Sequence, residues 1–501
     1  MSPKLHVWLQ HLASTIIPAV RRYPGAGILL WLIIPLVLIL LLGIAIRAYT
    51  VTEKLGQARS TLEQDASPES ARQAARWLAE AAEGIPWQTD LWEKAGSTAL
   101  QGGDPQSAAN YYKEALSRDS LSPQGRIALG DAYQQMGDLP AAIQEWEAAL
   151  RAGGPADEIY ARLLPAHRNQ GDIPASVSDL QALIAMQPED ASLQYQLGLL
   201  LAAQQPEAAL EHLAQAADLD PDLAAPAGLL RRSIRAASLK DDPDFTLLEA
   251  GRALGSLGEW ELAAMAFRQA TLNRPDYAEA WAFLGESLQH IPHSDSGAAG
   301  LAELKVALEL DPRSLSGHIF LALYWQRQRR LDLALEVLRS AAQLYPDTPA
   351  LQTEIGKTLA MQGNLQAALQ AYQEAVNLAP GEARTVRLLV EFSLEHNYQV
   401  QEVALPAARR LILMNANDPA ALDIMGQVLL NLGDSSNAER YFNRALRIDS
   451  QYAPAHLHLG LIYMERGDRE AAYDEFNLTL ALAPGTPVAE HAQRLLQNYF
   501  P

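Results

Sequence analysis

The chain contains no cysteine among its 501 residues, which excludes disulfides, thiolate metal sites and cysteine nucleophiles together. Long runs rich in Val, Ile and Thr are scarce outside one N-terminal stretch, while Ala and Leu abound, so the expected class is all-α. Signatures of hydrolytic chemistry are also missing. The eleven histidines never form HExxH: His212, His396 and His491 each follow a glutamate, but no second histidine stands four residues on. No GxSxG occurs, and carboxylates such as Glu145 and Glu147 are spread along helices as solubilising charge. The expectation is a protein without catalytic activity of its own and without a cofactor.

Gly356-Lys357-Thr358 reproduces the tail of a phosphate-gripping loop. Leu351 stands where the first glycine of such a loop belongs, and Thr348 to Ile355 read as a helix start with Pro349 in the first turn. A loop of converging backbone N–H groups cannot form inside a helix. No nucleotide site is expected.

Acidic residues are absent before Glu53, whereas Lys4, Arg21, Arg22 and Arg47 lie there. The remainder therefore carries 59 acids against 35 bases, a net charge of about −24, which repels phosphate backbones and argues against nucleic acid as a partner. Within the acid-free stretch, GAGILLWLIIPLVLILLLGIAI (25–46) gives 22 consecutive uncharged residues, enough to cross a hydrocarbon slab of roughly 30 Å. It is longer than the apolar core of a cleaved signal peptide, so the expectation is a retained transmembrane helix, with Pro35 at mid-span. Lys4, Arg21 and Arg22 on one side balance Arg47, Lys54 and Arg59 on the other. The short basic tail reads as that of an uncleaved signal anchor, which puts the large domain outside the cytoplasm. In the tail (1–24), Leu5, Trp8, Leu9, Leu12 and Ile16 share one helical face, so residues 4–17 read either as an interfacial helix or as unstructured chain. From Arg47 to Glu63 there is no proline, and Val51, Leu55, Ala58 and Leu62 keep helical spacing, which predicts a stiff joint into the soluble part.

Self-similarity dominates the rest. LGDAYQQMGDLPAAIQEWEAAL (129–150) recurs as IGKTLAMQGNLQAALQAYQEAV (355–376), MGQVLLNLGDSSNAERYFNRAL (425–446) and LGLIYMERGDREAAYDEFNLTL (459–480). The period is 34 residues: helix, Gly-Asp or Gly-Asn turn, second helix, and often a terminating proline. A glycine in the first helix and two alanines around an aromatic in the second permit close packing of the pair. The glycine falls at Gly96, Gly130, Gly198, Gly251, Gly285, Gly356, Gly426 and Gly460, replaced by Leu164, Ala322 and Val390 in weaker units. The aromatic falls at Tyr112, Trp146, Phe267, Tyr372, Phe442 and Phe476, and the proline at Pro188, Pro221, Pro275, Pro312, Pro346, Pro380 and Pro484. This pattern resembles the tetratricopeptide repeat (TPR) over about 85% of the chain, with eleven full units and a partial one ahead of them. The architecture is similar to that of membrane-anchored bacterial members of the family. The expected fold is an α-solenoid behind one transmembrane helix, with arrays at 47–221 and 246–485 and a capping helix at 486–501.

Turns at 290–297 and 396–403 are longer than the period requires. Residues 222–245, with Arg231, Arg232, Arg235 and Lys240, read as an added helix or as a basic patch for a partner.

The resemblance implies a groove lined by first helices, with the positions just after the packing glycine and three before it facing inward. Carried over, Lys357, Arg384, Arg387 and Glu391 form one candidate patch for a partner protein, and Arg162 and Arg168 another. The family's Lys/Asn carboxylate clamp is missing, so chaperone tails are not indicated. His290 and His293, which share the long turn with Asp295, make a candidate metal pair, set against the frequency of such residues in surface turns. Asn477-Leu478-Thr479 spells a glycosylation sequon inside a predicted helix. Two functional readings follow: a membrane-anchored scaffold that recruits partner proteins through its groove, and a substrate-presenting subunit of an envelope polysaccharide, glycosyltransferase or export complex.

Overall fold

The computed structural model describes residues 24–65, 67–85, 87–292 and 299–500. The candidate interfacial tail (4–17) and the His293/Asp295 part of the metal pair lie outside the described residues. Among the described residues there are 26 α-helices and no strand. The first helix, Pro24–Gln64, runs unbroken from the apolar stretch into the repeat array, so the joint predicted from Arg47 to Glu63 is continuous helix.

The array starts on this same helix. Helix Pro68–Gly84 packs back along its C-terminal half, covering Val51 and Ala58 and placing Lys54 Nζ 2.6 Å from Glu80 Oε2. The end of the long helix thus serves as the first helix of the partial unit, and regular hairpins follow from Thr89–Gln101 with Pro105–Arg118.

The period is written in the turns. Gly137 adopts φ 81°, in the left-handed region that glycine enters without penalty, and Asp138 then caps the next helix, its carboxylate accepting from Ala141 N at 3.2 Å. Asp104, Asp172, Asn364, Asp434 and Asp468 cap their helices in the same way. Helices ending at Met186, Leu219, Asn273, Leu310, Leu344, Leu378 and Leu482 each stop two residues before a terminating proline, whose ring excludes α conformation from its predecessor.

Inside each hairpin the packing glycine meets the aromatic ring. A Cβ at Gly96 would lie 2.6 Å from Tyr112 Cε2, and one at Gly356 2.9 Å from Tyr372 Cδ2. Gly130, Gly251, Gly426 and Gly460 face Trp146, Phe267, Phe442 and Phe476 in the same manner. At Gly285 the partner is Leu304, the aromatic position being aliphatic there. Gly198 is buried. Stacked hairpins give a run of small cores rather than one: Ala75–Ala132 passes to Ile127–Ala166, and separately Ala322–Val428 passes to Leu422–Ile462 and Leu457–Ala492.

The chain divides into two compact units, residues up to Leu200 with Gln215–Pro221, and Leu201–Ala214 with Asp222–Pro501. The residues singled out at 222–245 include helix Ala224–Ser238, which buries Ala227, Leu230, Ile234 and Ala237 against helix Pro243–Ser256. Arg232, Arg235 and Lys240 are exposed, and the Lys240 ammonium lies 3.6 Å from the Phe245 ring centroid. The surplus of the second long turn is absorbed by a π-helical turn, Val400–Ala404, entered through Asn397 and Gln399 at positive φ. Helix Pro487–Tyr499 closes the last core with Ala492, Leu495 and Leu496.

Candidate partner-binding site

Gly356-Lys357-Thr358 lies in mid-helix, within Pro349–Met361. Thr358 is fully buried: its hydroxyl donates to Glu354 O at 2.6 Å and accepts from Gln326 Nε2 at 2.8 Å. The tripeptide offers no phosphate cradle.

Lys357, the residue after the packing glycine, is half-exposed with its Nζ 3.9 Å from Glu354. Glu354 also borders a groove of about 310 Å³ lined by Ile319, Thr348, Thr353, Arg384 and Leu388, drawn from three successive first helices. Arg384 is exposed there, with no ion-pair partner among the described residues. Arg387 turns away to Asp418 of the next hairpin, 3.4 Å distant. Burial raises the Glu391 carboxyl above its ordinary range, with Arg387 opposing the shift. The four residues therefore do not form one cluster: Lys357 pairs with Glu354, Arg384 lines the groove, and Arg387, with Glu391 on the same helix, reaches Asp418 of the following repeat.

Arg162 and Arg168 point to opposite neighbours. Arg162 grips both carboxylate oxygens of Asp131 (2.8 and 3.2 Å), and Asp131 also accepts from Trp146 Nε1 at 3.1 Å. Arg168 donates to Gln196 at 3.1 Å. Both tie adjacent first helices together.

Three features of the wall went unnoticed in the sequence. In the first unit, Asp90, Glu93, Lys94, Ser97, Gln124 and Ala128 line an open groove of about 410 Å³, where Glu93 also accepts from Ser122 N at 2.8 Å. Ser97 follows Gly96 and Glu93 precedes it by three, so the positional rule used for Lys357 would have found them. Second, Glu286, the residue after Gly285, binds Arg327 at 3.0 Å and His290 at 3.0 Å, and Trp260 stacks on His290 at 3.9 Å. Third, Asp423 is buried beneath His458 Nδ1 (2.7 Å) and Gln427 (2.8 Å). The contacts of the wall that cross from one repeat to the next join residues 28 to 41 apart, about one repeat, and that spacing is the signal the sequence carries for them.

Away from the wall, His167 and Asp179 form a buried pair at 2.7 Å within one hairpin. Asn477 lies on helix Arg469–Leu482 and donates to Tyr473 O at 2.9 Å, while Thr479 is fully buried. Among the described residues no three His, Asp or Glu side chains gather as metal ligands.

The profile of the tetratricopeptide repeat matches residues 93–158, 162–224, 248–314, 321–383, 402–453 and 424–487, well over half the chain. The chain belongs to the tetratricopeptide repeat family. Among solved structures it is similar to yeast Tom70 at 14% identity, covering 82% of this chain and 95% of that one with a TM-score of 0.42. It is also similar to PilF of Pseudomonas aeruginosa at 23% identity, covering 44% of this chain and 99% of that one, TM-score 0.33. A third similar structure is YrrB, described as a TPR protein with an unusual peptide-binding site, at 21% identity, covering 38% and 98%, TM-score 0.28. No curated protein matches the sequence. Within this TPR chain, Lys357, Arg384 and Ser97 stand on first helices, where stacked repeats leave side chains open to a partner.

Proposed function

We infer that this TPR protein is a membrane-anchored, non-enzymatic scaffold of the cell envelope, which recruits partner proteins along the first-helix wall of its repeats. The observation that carries the recruitment reading is the pair of open grooves, each built from consecutive first helices and mixing charged with apolar lining. Such a wall presents side chains at a regular rise to an extended peptide or a helix. Anchoring is supported by the long helix, on which Leu36 to Leu42, Ile44 and Ile46 stand 45–68% exposed. A contiguous apolar surface of this size is unfavourable in water and matches hydrocarbon. The acid-free N-terminus and its Arg21-Arg22 pair support a soluble domain outside the cytoplasm.

Affinity purification of the full chain from detergent tests recruitment, with Arg384→Glu and Glu93→Arg as wall variants and Arg235→Glu as an exposed control. Stoichiometric partners lost in either wall variant and kept in the control are expected. Partners retained in both wall variants would sink the groove reading. Reporter fusions at residue 2 and after the C-terminus test orientation, and a cytoplasmic C-terminal signal would reverse it.

A further inference from the structure

Trp87 is 77% exposed, while Trp92 five positions on is buried at 3%. Its place in the fold explains why this matters. Lys54 pairs with Glu80, and Gly84 lies so close to Val51 that a Cβ on it would stand 2.5 Å from Val51 Cγ2. These two contacts fix an antiparallel register in which each step forward from Glu80 is a step back from Lys54. The chain after Gly84 is thereby carried toward the apolar run. The helix stops at Gly84, level with Val51, which is five residues past Ile46 and so about 7.5 Å beyond the uncharged stretch, and Trp87 stands in the turn that follows.

The turn is tightly held. Ile85 N donates to Ala82 O (3.2 Å), Gln88 N to Ile85 O (2.9 Å) and Leu91 N to Gln88 O (3.2 Å). Ile85 faces inward with Leu55 and Leu78, whereas Trp87 does not join that core. On the long helix Tyr49, 69% exposed, lies between that level and the uncharged stretch, three residues past Ile46. Headgroup layers extend roughly 5–8 Å beyond the hydrocarbon on each side, and amphipathic Trp and Tyr rings concentrate there. Glu83 and Asp90 are exposed on either side of Trp87, so attraction to anionic lipid is not what this tip offers.

We propose that Trp87, together with Tyr49, beds the first hairpin tip in the headgroup layer of the bilayer that carries the apolar helix. The array is then fastened at a second point and held at a set angle, instead of pivoting on the helix alone. This inference rests on the anchored reading given above.

The absence of cysteine lets single-cysteine variants of the full chain report without background. In phosphatidylcholine vesicles, a nitroxide on Gln88→Cys is compared with one on Leu42→Cys in the apolar helix and one on Leu413→Cys, a site 86% exposed. The expected result is an interface-depth signature at position 88: more collisions with oxygen and fewer with a polar nickel complex than at position 413. Adding Trp87→Ser returns position 88 to water-like values while circular dichroism is unchanged. A water-like position 88 with a lipid-buried position 42 overturns the docking and leaves the anchor standing. A water-like position 42 overturns the anchor, and the docking with it. An interfacial signature that persists in Trp87→Ser overturns the role given to the tryptophan.

Discussion

At Gly426 an added methyl has nowhere to go, since its Cβ would lie 2.7 Å from two ring atoms of the fully buried Phe442. Alanine normally stabilises a helix interior by about 1 kcal/mol over glycine. Here overpacking costs about 1–3 kcal/mol and wins. Gly426→Ala is therefore expected to lower stability by up to about 2 kcal/mol in urea titration, the overpacking cost less the helix gain. Gly56, with nothing within 4 Å of its Cβ position, is the converse case. Gly56→Ala should stabilise the long helix by about 0.5–1 kcal/mol. His456 gives a pH effect. Burial works against its charge, but the carboxylate of Glu475 at 2.6 Å and the Ser450 carbonyl outweigh it, and the net shift is upward. A histidine bound more tightly to its proton when folded stabilises fully below its ordinary value near 6.5 and loses that stability as pH rises through the folded value. His491, shifted down by burial, acts in the opposite sense. The urea midpoint should accordingly fall more between pH 6 and pH 8 in the wild type than in His456→Asn; equal falls would remove His456 as the cause. The glycine–aromatic couples were legible in the sequence because both members recur at fixed offsets. The His167–Asp179 and His458–Asp423 pairs were not, since neither histidine recurs with the period and only the fold brings its carboxylate near.

Among the elements, the turn between the two helices of a hairpin is the most uniform. It combines a left-handed glycine with an Asp or Asn cap, and departures from it are informative. In the turn before helix Leu331–Leu344 the left-handed position is Arg329 (φ 59°), and Arg330 makes no side-chain cap. A non-glycine residue there costs roughly 1–2 kcal/mol. Arg329→Gly should raise thermal stability by about 1 kcal/mol, and Asp138→Ala should lower it by about the same amount through loss of its cap. Calorimetry on both variants checks the pair; a destabilised Arg329→Gly would mean that the arginine side chain carries more than its backbone strain. Helix ends and turns were readable because glycine, Asp/Asn and proline act through local sterics. The π-helical turn at Val400–Ala404 was visible only as surplus length, because its conformation is chosen by the packing of Val400 and Ala404 against neighbouring helices.

Among the described residues, the extensive helix–helix contacts join helices one or two places apart in sequence. Cooperativity should then decay over neighbouring repeats. In hydrogen exchange, Gly426→Ala is expected to speed exchange in the hairpins around 419–466 and leave residues 89–151 at wild-type rates. Uniform acceleration would show coupling that nearest-neighbour stacking does not provide. The sequence by itself determined the repeat, its period, its packing glycines and the apolar helix, because all of these are written in spacing along one chain. Only the tertiary structure decided which wall residues are open and which are consumed in holding the stack. Arg162 and Arg387 read alike as groove cations, yet each is drawn onto a carboxylate one repeat away, while Arg384 is left facing the groove. The physical reason is that a charge is neutralised by whatever stands within a few ångströms, and in stacked hairpins that neighbour lies about thirty residues off, at an offset that varies from one contact to the next.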